Sequence, residues 1–285
     1  MSRTTAVLTI SCPDRKGLVA GVSGFLAQHE ANVLEASQHS DLESGVFFMR
    51  VEFDLEGMDL ARPEIAPAFA PLAQNFEMAW ELNFSDKVKN VAILVSQYDH
   101  CLYDLLLRQQ AGEFQANIAL IISNHQKLEN VARNFGIAWH YLPVTVATKP
   151  QQESAISHLL EENKVDLIVL ARYMQVLSPE FTAKYPRRII NIHHSFLPTF
   201  AGGKPYHQAY ERGVKIIGAT GHYVTQELDE GPIIAQDIIR VSHKDAVQDL
   251  VRRGRDLERL VLAQAVKAHL EDRVLVYGRR TVVFE

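Results

Sequence analysis

The densest group of polar side chains in the sequence is NIHHSFLP, which sets Asn191, His193, His194 and Ser195 at the end of an apolar run. Asn191 and His193 are two positions apart, and in extended chain such side chains share one face. An amide donor and an imidazole then converge on one point. Further on, Asp229 and Glu230 lie in QELDEG, between two later apolar runs, where a carboxylate could complete the set. The combination suits attack on a carbonyl. Asn191 can donate to a developing oxyanion, an interaction typically worth about 10²–10³ in rate. His193 can pass protons near neutral pH while a carboxylate fixes its tautomer or charge. Plainer readings stand beside these: a structural Asn–His pair, a packing role for His194, and turn chemistry for Asp229 before Gly231.

Two rival chemistries can be weighed on the same residues. His193, His194, His207 and His222 fall in one segment, but HExxH and paired cysteines are missing and the spacings match no common zinc pattern. No metal is expected. Phosphate cradling needs glycine after a strand, and NVAILVS is followed instead by QYDHCLYD, which offers neither a P-loop nor a dinucleotide fingerprint. NAD and ATP are therefore disfavoured, and no cofactor is expected.

The elements that must position these groups change rhythm near residues 84–89. Before that point the order is strand, helix, strand, strand, helix, strand. The run AVLTI leads through the turn-prone CPDRKG into a helix over 18–29. NVLEASQHS and GVFFMRVEF form a hairpin about 41–45, a helix over 63–75 starts at Pro63 with Glu64 in its first turn, and EMAWELNF closes the set. This is the ferredoxin-like βαββαβ arrangement. From residue 85 strands and helices simply alternate. Runs such as LIVLA show no polar alternation and read as strands covered on both faces of a parallel sheet. KIIGATGHYVT and GPIIAQDIIRV predict an antiparallel addition at one edge, a long amphipathic helix follows over 245–270, and RVLVYGRRTVVF predicts a hairpin turning at 278–279. The fold class is α/β: a small domain over 1–84, then a doubly wound, mostly parallel sheet over 85–285. In such a sheet ligands bind beyond the carboxyl ends of the strands, where NIHHSFLP lies.

Composition narrows the partners. The chain has 285 residues, 47% hydrophobic and 22% charged, the balance of a protein that buries a sizeable core. Lys and Arg number 29 against 34 Asp and Glu, a net charge of -5, so no global positive field exists to hold nucleic acid. Cys12 and Cys101 are far apart in sequence and form no CxxC pair, which fits a reducing, cytoplasmic home. The opening apolar run is too short for a signal-peptide core, and no stretch of about 18 uncharged apolar residues could cross a bilayer.

NIHHSFLP followed by GATGHYVTQELDEGPIIAQ closely resembles the formyltransferase-fold family that uses 10-formyltetrahydrofolate. By that resemblance the catalytic trio falls on Asn191, His193 and Asp229. ARYMQVL resembles the family's folate loop, which implies that Met174, Gln175, Val176 and Leu177, with Val224 and the backbone of 224–229, hold the pterin ring. Core packing is the competing reading for Met174, Val176 and Leu177. His222, in the family-like TGHYV, is expected to contact the trio.

CPDRKGLVAGVSGFLAQHEANVLEASQ resembles an ACT domain, a regulatory or assembly unit. The family's glycinamide ribonucleotide enzymes carry a glycine-rich phosphate loop after the first strand, and this chain has Ser96, Gln97, Tyr98, Asp99, His100 and Cys101 there. Its tRNA-dependent enzymes append a basic C-terminal domain that does not follow the long helix here. An ACT-like domain ahead of this fold resembles the deformylase branch of the family. That branch implies hydrolysis of 10-formyltetrahydrofolate to formate and tetrahydrofolate, supplying formate for purine synthesis and balancing one-carbon pools. His100 and His194 are candidates for shaping a water-filled acceptor side. The resemblance further implies a folate substrate, an amino-acid effector and a homo-oligomer, with no nucleic acid and no membrane. Transfer to an amine acceptor and a non-catalytic amino-acid or folate sensor remain open alternatives.

Overall fold

The N-terminal part folds around an apolar face of its first strand. The computed structural model describes residues 4–198 and 205–285. β1 (Thr5–Pro13), α1 (Leu18–Gln28), β2 (Val33–Asp41), β3 (Val46–Asp54), α2 (Arg62–Asn75) and β4 (Ala79–Phe84) follow the expected βαββαβ order. Their strands form one antiparallel sheet in the order β2-β3-β1-β4. Ala6, Leu8, Ile10 and Cys12 share one face of β1 and pack with Leu18, Val22 and Leu26 of α1 and Ile65 and Phe69 of α2. The Glu64 carboxylate accepts the Ala61 N–H at 2.8 Å, so α2 starts where the Pro63–Glu64 signal places it.

The second part begins at β5 (Lys89–Val95) and continues through α3 (His100–Gln110), β6 (Ala116–Ser123), α4 (Glu129–Asn134), β7 (Ala138–Tyr141), α5 (Lys149–Glu162), β8 (Leu167–Leu170), α6 (Pro179–Lys184) and β9 (Ile189–His193). All four residues of β8 are buried, as an apolar run covered on both faces requires. Then come α7 (Pro205–Glu211), which the sequence reading did not anticipate, β10 (Ile216–Tyr223), β11 (Ile233–Arg240) and α8 (Val247–Leu270). The seven strands lie in the order β11-β10-β9-β8-β5-β6-β7. Every pairing from β9 to β7 is parallel, whereas β10 runs antiparallel to both β9 and β11. The antiparallel addition therefore sits at one edge, as expected. One face is filled by Ile156 and Leu160 of α5 and Phe181 of α6, packed with Ala92, Leu94, Ile168 and Leu170.

β12 (Val274–Tyr277) and β13 (Arg280–Val283) form the closing hairpin. Among the described residues, one compact unit forms within Met1–Val88, Asp272–Leu275 and Val282–Glu285, and the other within Lys89–Glu271 and Val276–Thr281. No helix is long and apolar enough to cross a membrane among the described residues.

Candidate active site

A cavity of about 280 Å³ opens where β9 outruns β8. Pairing between these strands ends at Leu170 opposite Asn191, and beyond it β9 continues to His193 with only β10 beside it. The chain leaving β8 and the chain leaving β10 form the walls. Asn191, His193, His194, His222 and Asp229 all line this cavity. Met174, Gln175, Val176, Leu177 and Val224 do as well. Of the expected site residues, only His100 does not.

The wall after β8 answers the question of core packing. Met174 is 50% and Val176 55% exposed, so these side chains face open space, while Leu177 and Val224 pack against the core from its edge. The segment is held from both ends. Ser96 Oγ accepts the Met174 N–H at 3.0 Å, and Ser178 Oγ caps α6 by accepting the Phe181 N–H at 3.1 Å.

Asn191 faces His222 directly across the β9–β10 ladder. His222 Nδ1 lies 2.9 Å from the Tyr223 carbonyl, which only accepts, so Nδ1 carries the ring hydrogen. Burial pushes the His222 pKa down, and the bond to Tyr223 and the charge of Asp229 offset this only in part. The ring is then neutral and its Nε2 is a lone pair, which accepts from Asn191 Nδ2 at 3.3 Å. That contact assigns the Asn191 amide: one N–H is held by His222 and the other is left for the cavity.

His193 is buried, its Nδ1 3.2 Å from Asp229 Oδ2. Its Nε2 is a buried atom with no hydrogen-bond partner among the described residues. Asp229 reaches His193 from a loop, with its backbone at φ 57 in the left-handed region, where Asp is among the few side chains tolerated. The loop is closed by Gly231, where a Cβ would fall 1.8 Å from the Tyr223 carbonyl oxygen. Burial alone would raise the Asp229 pKa, but the hydrogen bond and charge of His193, with His222 and His194 beyond, bring it below the usual carboxylate value. The His194 ring lies 5.3 Å from that of His193, tilted by 52°. Burial, and then the charge of Arg172, lower the His194 pKa to about 3, so it is neutral at physiological pH.

His100, first residue of α3, turns to a partner that sequence reasoning missed: its Nε2 lies 2.7 Å from Glu258 Oε2. Tyr206 of α7 donates to Glu258 Oε1 at 2.6 Å, and Arg172 Nε lies 3.4 Å from Oε2. Glu258 sits in α8, where one acid among many charges reads as a solvated face, yet it is 1% exposed. Arg172 lay within the ARYMQVL motif but had no partner in view. His100, Cys101 and Glu258 are the group among the described residues with three atoms close enough to hold one metal ion. Both Glu258 oxygens are already engaged by His100, Tyr206 and Arg172.

Comparison with known proteins shows the family. Residues 89–266 match the model of the formyl transferase family and residues 6–68 that of the ACT domain. The chain is 52% identical over 284 residues to a formyltetrahydrofolate deformylase of Synechocystis sp., covering 100% of both chains. It is 50% identical to the Bacillus subtilis protein of that name, covering 97% of this chain and 93% of the other. A crystal structure of a formyltetrahydrofolate deformylase from Pseudomonas syringae pv. tomato is 48% identical and superposes with a TM-score of 0.97, covering 100% of this chain and 96% of that one.

Proposed function

The chain belongs to the formyltetrahydrofolate deformylases, and on that footing we propose that it hydrolyses 10-formyltetrahydrofolate to formate and tetrahydrofolate with Asn191, His193 and Asp229 as its catalytic groups. What carries the assignment of residues is the convergence of an amide N–H, an unpartnered imidazole Nε2 and a carboxylate on one cavity with exposed apolar walls. The pterin rests against Met174, Gln175, Val176, Leu177 and Val224, with the formyl group toward Asn191. Water adds to the formyl carbon, and the oxyanion takes hydrogen bonds from Asn191 Nδ2 and His193 Nε2. The water proton passes to the His193–Asp229 pair. As the C–N10 bond breaks, a proton returns to N10. The leaving nitrogen is aniline-like and needs only modest assistance.

The test is a formate-release assay with 10-formyltetrahydrofolate alone, without metal, nucleotide or amine. Formate is the expected product. Turnover only after glycinamide ribonucleotide is added would establish a transferase, and tight folate binding without formate release a sensor.

The finer organisation belongs to the same reading. We assign catalysis to 85–285 and regulation or assembly to 1–84, with an amino-acid effector at the ACT-like domain and a homo-oligomer as the working form. A reducing, cytoplasmic setting is supported by Cys12 and Cys101, both buried and unpaired. Calorimetry with glycine and methionine tests the effector: no heat and no thermal shift with either removes it. Sedimentation tests the assembly, and a monomer at working concentration contradicts it.

A further inference from the structure

The buried charged cluster around Glu258 has no part in the mechanism above, yet it touches the cavity at two places. Arg172 lines the cavity directly. From the other side, the His193 and His194 rings meet at a tilt, the His194 ring lies 6.0 Å from that of Tyr206, and Tyr206 donates to Glu258. The contacts make a continuous wall from the catalytic imidazole to Arg172, with Glu258 as its hub and His100 behind it.

Fold stability does not account for this wall. A buried ionic cluster is on average no more stabilising than apolar side chains of the same volume. Two backbone features show that the sequence accepts strain or lost propensity to keep it. Arg172 has φ 61, a conformation that favours glycine, yet the position carries the longest cationic side chain. Gly254 interrupts the 24-residue α8, at a helix-propensity cost of about 1 kcal/mol relative to alanine. A Cβ there would fall 2.1 Å from Tyr206 Oη, so the glycine is what admits Tyr206 to Glu258. The Arg172 guanidinium is fixed further by the face of Tyr98, 5.0 Å away.

We propose that Arg172, held by the cluster of Glu258, His100 and Tyr206 behind it, plugs the acceptor side of the cavity, admitting water and excluding a primary amine, and so determines that the formyl group goes to water. Arg172 is the specificity-determining side chain, and the other three position it. The proposal rests on the deformylase reading. With the plug removed, the nitrogen of a small primary amine adds to the formyl carbon, the C–N10 bond breaks, the amine loses one proton and N10 gains one, giving a formamide and tetrahydrofolate.

The experiment uses the full chain, 10-formyltetrahydrofolate and glycinamide, with formate and N-formylglycinamide quantified together. Wild type is expected to give formate alone. Arg172→Gly relieves the backbone strain and is expected to raise the ratio of N-formylglycinamide to formate by about tenfold or more. Formylation of the amine by wild type as readily as by the variant overturns the proposal. So does an Arg172→Gly enzyme that still hydrolyses but makes no more formamide than wild type. If circular dichroism shows that Arg172→Gly has lost its fold, His100→Ala, which releases the other partner of Glu258 Oε2, decides by the same ratio. Absence of formate from wild type without amine is a separate outcome and sinks the deformylase reading instead.

Discussion

Asn191 and His222 stand directly opposite each other on antiparallel strands, and their side chains meet at 3.3 Å. The ladder thus orients the amide before any substrate arrives. Asn191→Ala is expected to lower kcat by about 10²–10³ with KM changed far less, because the lost hydrogen bond strengthens only as the oxyanion forms. Steady-state formate release checks this, and an unchanged kcat in a folded variant removes Asn191 from the mechanism.

Asp229→Asn keeps a side chain that tolerates the left-handed backbone at φ 57, so the loop should hold its shape. The amide cannot stabilise a charged His193. The expected loss is about 10²-fold or more in kcat, with thermal stability close to wild type. Equal loss of both would mean that the residue serves the loop rather than the reaction.

Met174→Ala and Val176→Ala distinguish a binding wall from core packing. At 50% and 55% exposure neither side chain is held in the core, so each substitution should leave stability within about 0.5 kcal/mol. Each should raise KM for the folate several-fold with little effect on kcat. A melting temperature that falls without a change in KM contradicts the assignment.

His194 gives the protein an acid sensitivity of defined sign. Its folded pKa of about 3 lies below the ordinary 6.5, so between these values the unfolded chain binds a proton that the folded chain refuses. Stability therefore falls as pH drops from about 6.5 toward 3 and stops falling from this cause below that. His222 and His269 are shifted the same way, so the slope is shared. His194→Asn should show a shallower fall than wild type in urea midpoints measured from pH 6.5 to 5.5, above the ordinary carboxylate range from which Asp229 and Glu258 are shifted down. An identical slope refutes the shift.

The rhythm of the strands was legible in the sequence because β8 is apolar throughout, β5 and β6 carry apolar runs, and β1 and β3 are apolar-rich and buried along most of their length. The cavity's polar set was legible too, since Asn191 and His193 share a strand and their spacing fixes a common face. What could not be read was the cluster at Glu258. Its members come from α3, α7, α8 and the chain after β8, and no local spacing links them. Glu258 in particular is surrounded by Arg255, Asp256 and Arg259, so only the packing of α8 against the sheet identifies it as buried. The short α7 was missed for a related reason: without a strong apolar stripe, tertiary contact rather than local pattern decides that it is a helix.

Asn191, His193 and His222 lie on strands, whereas Asp229 lies on the loop that follows β10. The two halves of the site should therefore open on different clocks. Amides of β9 and β10 are locked into the sheet and should exchange with deuterium only when the second unit unfolds, while those of 225–230 should exchange through local opening. A folate analogue bound in the cavity should slow the loop amides and leave the strand amides as they were. When the site opens, the carboxylate would then leave first while the oxyanion donors stay assembled, and a bound substrate would hold the complete constellation closed.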